Sequence, residues 1–239
     1  QVIAADQYVN FYALKLENPL APKDSLTFQF EMKSKENTLF QRNSDVLENG
    51  TFLRYDIFPR FGYFLEEITK HPSDSVAAQF NVQSPTADLV NFEATMSTTS
   101  DQIALAPGYL QNTWQENDRA YFHYKMDKPM KFFFCFNSGR FEVKKEEWKG
   151  VNLEVYYHKG HERNLEKMIE GLKAAITYNT KHFSDFQHRE ARIIEFPQSE
   201  GTFATITANS IPTSEIDLLQ IPIQIAIKLI FHSMLLLMS

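Results

Sequence analysis

Apolar and polar residues alternate through much of the first two thirds of the chain. Leu26, Phe28, Phe30 and Met32 alternate with Thr27, Gln29 and Glu31, the period of two that places one row of side chains on a dry face and the other in water. Val90, Phe92, Ala94 and Met96 repeat the pattern, and Arg119 to Met126 carries Tyr121, Phe122, His123 and Tyr124 in a further predicted strand. Met130 to Phe136 is almost continuously apolar, as in a strand buried on both faces. Asn49-Gly50 is a turn signal ahead of Thr51-Phe52-Leu53. Asn137-Ser138-Gly139 is a second, predicted to return the chain along Arg140 to Lys144 as a hairpin. Val151 to Tyr157 is the last strand of the series. Short strands divided by turn signals predict a β-sandwich or saddle-shaped sheet domain over residues 1–158.

The period changes at Lys159-Gly160. Leu165, Met168, Ile169, Leu172, Ala175 and Ile176 recur at steps of three and four, which predicts a helix from about Arg163 to His182 with one apolar face. Gly171 weakens that helix slightly and leaves room for a close neighbour. Arg192 to Phe196 is a predicted strand stopped by Pro197, and Phe203 to Thr207 another. Strand, helix and strand open a mixed α/β unit, here residues 159–216. The expected class is therefore mainly β with a C-terminal α/β portion.

Composition fits that picture. Aromatic residues make up 14% of the 239 positions, 21 of them Phe, and aromatics favour strands. At 43% hydrophobic and 23% charged the chain has the make-up of a soluble globular protein, long enough to bury a core without disulfide or metal. The net charge of −6 and a pI near 5.7, with no basic patch, set nucleic acid aside as a partner. The single cysteine, Cys135, lies inside Phe132-Phe133-Phe134-Cys135-Phe136, where a small buried hydrophobe is the natural role. Gln1 is not followed by a basic segment and an apolar run, so a signal peptide is not expected, and the missing Met is the mark of a piece of something longer.

Chemistry-bearing motifs are scarce. The sequence holds no HExxH, no nucleophile elbow, no P-loop and no dinucleotide fingerprint. His161-Glu162 begins like a zinc motif, but Arg163-Asn164-Leu165 follows. His158 and His161 flank Gly160, and a loop separates His182 from His188, so no metal-ligand spacing results. One segment has a binding pattern. Gly201 opens an extended stretch that passes Asn209 and ends at Glu215. Such a backbone can pair with a peptide by strand addition, and a carboxylate at its end can hold an ammonium group. An ordinary edge strand with a surface loop fits the same residues.

The stretch Val155-Tyr156-Tyr157-His158-Lys159-Gly160-His161, the helix through Leu172 and Tyr178, Phe183-Ser184-Asp185-Phe186 and Arg192-Ile193-Ile194-Glu195-Phe196-Pro197 resemble the membrane-alanyl-aminopeptidase family of gluzincin zinc peptidases. Asn49-Gly50-Thr51-Phe52-Leu53 and Phe58-Pro59-Arg60-Phe61-Gly62-Tyr63 share the likeness. The nearest pattern is the bacterial subgroup in which such a peptidase domain follows an ABC-type transporter permease in one polypeptide. The resemblance implies an N-terminal β-domain followed by the incomplete start of a thermolysin-like catalytic domain. It implies a parent that removes N-terminal residues from peptides, with zinc polarising the scissile carbonyl and the HExxH glutamate acting as general base. It implies substrate contacts from Glu215, Asn209 and Gly201, with Glu215 on the free amine. Two features depart from the family: Gly201 to Glu215 stands in place of GxMEN, and no HExxH follows. No catalytic residue and no metal ligand is therefore assigned in this chain, no zinc is expected in it, and it is expected to be inactive alone.

The tail explains the second departure. Residues 217–239 are Leu- and Ile-rich where a polar loop is expected. When they are back-translated with permitted codons and moved by one nucleotide, one of the outcomes that codon degeneracy allows is RFIADPNSNSDKTYIPFHVTAHE, which ends on the first two letters of HExxH. A shifted frame ranks first for the tail, an interfacial or core helix second and a membrane anchor third, since Lys228 and His232 interrupt the apolar run. The parent's partners are then a peptide substrate, the missing C-terminal catalytic region and a membrane permease portion, with membrane association through the parent and this segment a soluble domain on a side left open. The competing expectation is a non-catalytic, β-rich binding or interaction domain of a membrane transporter.

Overall fold

The computed structural model describes residues 2–6, 11–33, 46–47, 50–59, 89–196 and 207–214. Residues 1–35 form one compact unit and residues 36–239 a second. In the first, β1 (Val2–Asp6) and β2 (Phe11–Leu14) pair antiparallel. A turn follows in which Asp24 N–H donates to Ala21 O at 3.0 Å and Asp24 Oδ2 accepts from Ala21 N–H at 2.9 Å. The strand expected at Leu26 to Met32 does not form. Residues 15–33 carry no strand, and Leu26, Phe28, Phe30 and Met32 are all exposed. Alternation fixes which side chains share a face, but a strand also needs a hydrogen-bonding neighbour, and none of the described strands pairs with this segment.

The second unit contains β3 (Val46–Leu47), β4 (Gly50–Arg54), a 3-10 turn at Tyr55–Ile57, β5 (Leu89–Val90), β6 (Glu93–Thr99), β7 (Ile103–Leu105), β8 (Tyr109–Glu116) and β9 (Arg119–Lys125). It continues with β10 (Met130–Lys131), β11 (Cys135–Gly139), β12 (Phe141–Trp148), β13 (Val151–His158), a 3-10 turn at Glu162–Asn164, α1 (Leu165–His182), β14 (Glu190–Phe196) and β15 (Ser210–Ser214). The described residues are thus mainly β, in several sheets, with one long helix. The sheets of this unit run β3-β4-β11-β7, β6-β9-β8, β10-β5 and β12-β13-β14-β15. In the last of these β12 and β13 are antiparallel, while β13, β14 and β15 are parallel. This sheet continues across His158-Lys159, where the sequence period changes.

Two hairpins owe their form to tight turns. Glu116 faces Arg119 and Trp148 faces Val151, which leaves two-residue loops. Asn117 and Asp118 have φ of 49° and 59°, and Lys149 and Gly150 have 50° and 78°. Positive φ at both central residues is the type I′ geometry that matches strand twist.

Two further expected elements differ from the structure. Met130 to Phe136 is not one strand. The chain leaves β10 at Lys131, makes a three-residue turn in which Phe133 N–H donates to Lys131 O at 2.7 Å, and enters β11 in another sheet. The phenylalanines pack on one another across the break, with Phe132 and Phe136 each edge-on to Phe134 at 5.1 and 5.5 Å. Nor do Asn137 to Gly139 form a hairpin turn. They are strand residues of β11, opposite Phe52, Thr51 and Gly50 of β4. The glycines serve close approach, since a Cβ on Gly50 would stand 2.1 Å from Ser138 O.

The core lies on both faces of the mixed sheet. Leu153, Val155, Tyr157, Ala191, Ile193 and Ile211 meet Leu165, Met168, Ile169, Leu172, Ala175 and Ile176 of α1. The six helical residues are those of the predicted apolar face, and all are buried. On the opposite face Tyr156 and Ile194 pack with Leu105, Ala106 and Tyr124. Burying a large aliphatic side chain contributes about 1.5–3 kcal/mol, so this helix is held chiefly by its docked face.

Candidate functional site at the carboxyl ends of the parallel strands

The parallel strands point their carboxyl ends the same way, and polar groups gather there. His158 ends β13, Glu195 and Phe196 end β14, and Thr213 and Ser214 end β15. Register places Glu195 beside Thr213 and Phe196 beside Ser214. Glu195 is 1% exposed. Its Oε2 accepts the His158 backbone N–H at 2.6 Å, and its Oε1 is paired with His161 Nδ1. Gly160, at φ +97°, bends the chain between the two histidines, and the His161 N–H closes that bend on His158 O at 3.0 Å. The carboxylate thus ties the end of β14 to the loop that starts α1. A buried carboxylate persists only when its oxygens are taken up in this way.

Ser214 is fully buried, and its hydroxyl has no hydrogen-bond partner. Among the described residues β15 pairs with β14 alone, and all five of its residues are buried. Glu215 directly follows β15, and Gly201 precedes it by nine positions; both lie outside the described residues.

Asn209 is placed at the other end of β15, and it is 3% exposed. Its Oδ1 accepts from Gly108 N–H and its Nδ2 donates to Gly108 O, both at 3.1 Å. Its own carbonyl accepts from Arg192 N–H at 3.0 Å. Gly108 is obligatory there, with φ +92° and a would-be Cβ 2.5 Å from the Lys125 carbonyl carbon. Asn209 thus fastens the start of β15 to the loop between β7 and β8.

Arg192 completes that junction. It is 1% exposed, donates to Ala106 O at 2.9 Å and to Gly108 O, is paired with Glu190, and lies 3.9 Å from Glu154. Glu154 also accepts from Lys145 Nζ and from Tyr156 O–H, each at 2.6 Å. Burial pushes the Glu190 carboxyl above its ordinary range, against the pull of Arg192. Burial likewise raises the Tyr124 and Tyr156 hydroxyls, keeping both as neutral donors. Sequence reading missed this junction. Its signal was a pair of opposite charges, Glu154 between Leu153 and Val155 and Arg192 between Ala191 and Ile193, which the structure places in register.

Cys135 is buried, and burial pushes its thiol up to about 11, which suits packing rather than nucleophilic attack. Among the described residues no three His, Cys, Asp or Glu converge on a common point that would hold a metal ion. No helix among them is long and apolar enough to cross a membrane. The tail, residues 217–239, lies outside the described residues.

Fold and site define a mainly β protein whose polar groups converge where a mixed sheet ends. No protein-family model matches the chain, and no curated protein matches it.

Proposed function

We propose that this chain is part of a zinc-dependent aminopeptidase-like protein and forms the substrate-side edge of its cleft. The observation that carries the reading is the parallel run β13-β14-β15, whose carboxyl ends gather polar groups and whose last strand is followed in sequence by Glu215. Ligands of open α/β sheets bind at those ends. The family-like residues His158, His161 and Glu195 gather at the same end. On this reading residues 1–158 belong to a β-sandwich or saddle-shaped domain, residues 159–216 begin a thermolysin-like domain, and the tail is out of frame. The described residues do not fit a zinc site, so the metal's ligands belong to the HExxH region that the shifted frame begins, and the permease-fused parent brings the peptidase to a membrane.

Two measurements test it. The DNA after the codon for Ser239 is expected to encode HExxH, in some frame, followed by a helix with a glutamate. In the frame-restored protein, Glu215→Ala is expected to lower kcat/KM for substrates with a free N-terminus, by the roughly 1.5–3 kcal/mol of a charged hydrogen bond. Unchanged kinetics would remove Glu215 from the site.

A second reading has its own observation. The exposed apolar row Leu26, Phe28, Phe30 and Met32 suits a surface that meets another protein. A non-catalytic interaction domain is the better account if no HExxH is encoded.

A further inference from the structure

A cleft of about 620 Å3 opens at the amino ends of β14 and β15, the opposite end of the sheet from Ser214. Its walls are mainly apolar, built from Met126, Met130, Leu172, Ile176, Phe186 and Ile211. Small-molecule pockets have this size and character, mostly apolar with a few placed polar groups. Among the described residues that line it, the cations Lys128, Lys131 and Arg189 outnumber the carboxylates Asp127 and Asp185, a surplus of one positive charge. The cations are not equivalent. Arg189 is committed twice, to Asp127 at 3.0 Å and over the Tyr109 ring at 3.9 Å. Lys128 is exposed and forms no ion pair among the described residues. His188 also lines the cleft, with its Nδ1 3.4 Å from the Tyr109 hydroxyl. Burial, and then the Lys128 charge, hold that imidazole below its ordinary value, so it adds no charge of its own at neutral pH.

An apolar body gains from burial against such walls, and a negative head gains from an unpaired cation at their rim. A cationic head is repelled there, and a neutral one leaves the surplus uncompensated. One negative charge matches the surplus; a carboxylate carries one, whereas a phosphate monoester at about −1.5 to −2 exceeds it. We propose that this cleft binds a small amphipathic acid, an apolar body bearing one carboxylate, whose head pairs with Lys128. The site is at the opposite end of the sheet from Ser214 and does not rest on the peptidase reading.

Octanoate, octanol and octylamine are suitable probes, because they share one apolar body and differ in the charge of the head. In NMR titrations of the full chain at neutral pH, octanoate is expected to produce saturable shifts at Leu172, Ile176 and Ile211. It is expected to bind about fivefold tighter than octanol, the upper end of what an exposed ion pair contributes, and octylamine more weakly than octanol. The margin is expected to shrink as salt is raised. With octanoate bound, His188 is expected to titrate at a higher pH, because the carboxylate offsets the Lys128 charge. Lys128→Gln, at an exposed position, is expected to bring octanoate down to the affinity of octanol. Lys159→Gln removes the same charge at the other end of the sheet and is expected to keep the margin. Shifts that do not saturate or are confined to residues away from the cleft would overturn the assignment. So would octanoate binding no tighter than octanol, a margin retained in Lys128→Gln or lost in Lys159→Gln, or a His188 midpoint that octanoate leaves unmoved.

Discussion

Arg192 is a buried cation whose guanidinium serves two carbonyls and two carboxylates at once. Removing one member of such a network leaves the rest desolvated and uncompensated. Arg192→Met is therefore expected to destabilise the protein by about 3–5 kcal/mol, read as a lower urea midpoint at neutral pH. The loss is expected to shrink toward acid pH. Burial already raises the Glu190 carboxyl, and without Arg192 it takes up a proton more readily in the folded state, so folding gains as pH falls. His188 acts with the opposite sign. Burial, helped by Lys128, lowers it from 6.5, so below about that pH the unfolded chain binds a proton that the folded chain resists. Its contribution to stability is present above that value and is lost as pH falls through it. The melting temperature is expected to drop between about pH 7.5 and 5.5, and His188→Gln is expected to flatten the slope. A slope unchanged by the substitution would assign the effect to other groups.

Elements here are set by a few local rules and then by packing. Gly150 has φ +78° and nothing within 4 Å of a would-be Cβ. Gly150→Ala therefore isolates the cost of the left-handed backbone in the β12–β13 turn, about 1 kcal/mol, and equilibrium unfolding measures it. The helix offers the contrasting case. Ile169 is fully buried between α1 and the mixed sheet, and Ile169→Ala is expected to cost about 2–5 kcal/mol through lost contacts and a cavity. Its neighbour Glu170 sits on the wet face in a surface ion pair with Lys173, and Glu170→Ala is expected to change stability by less than about 0.5 kcal/mol. The helix was legible because its period, its length and its buried face agree. The break between β10 and β11 was not, because a run of phenylalanines packs equally well in one strand or across two sheets.

Stability is unevenly spread over the molecule. Residues 15–33 have exposed side chains, apart from the half-buried Leu16, and no strand ladder, whereas β13 and β14 have a core on each face of one sheet and α1 is docked on one of them. Limited proteolysis followed by mass spectrometry is expected to cut within 15–33 before any site in 151–196. Earlier cleavage in the mixed sheet would contradict that order. By itself the sequence determined the mainly β character, the helix and its apolar face, the strands at β6, β9, β13 and β14, and a buried Cys135. Each of these follows from side-chain period and burial preference, which are local properties. Only the tertiary structure decided that Leu26 to Met32 form no strand, that Asn137 to Gly139 continue one, and that Asn209 clamps Gly108. It alone brought Arg192 to Glu154. The physical reason is that hydrogen-bonding partners and the fate of buried charge depend on which distant segments meet, and periodicity along one segment carries no record of its neighbour.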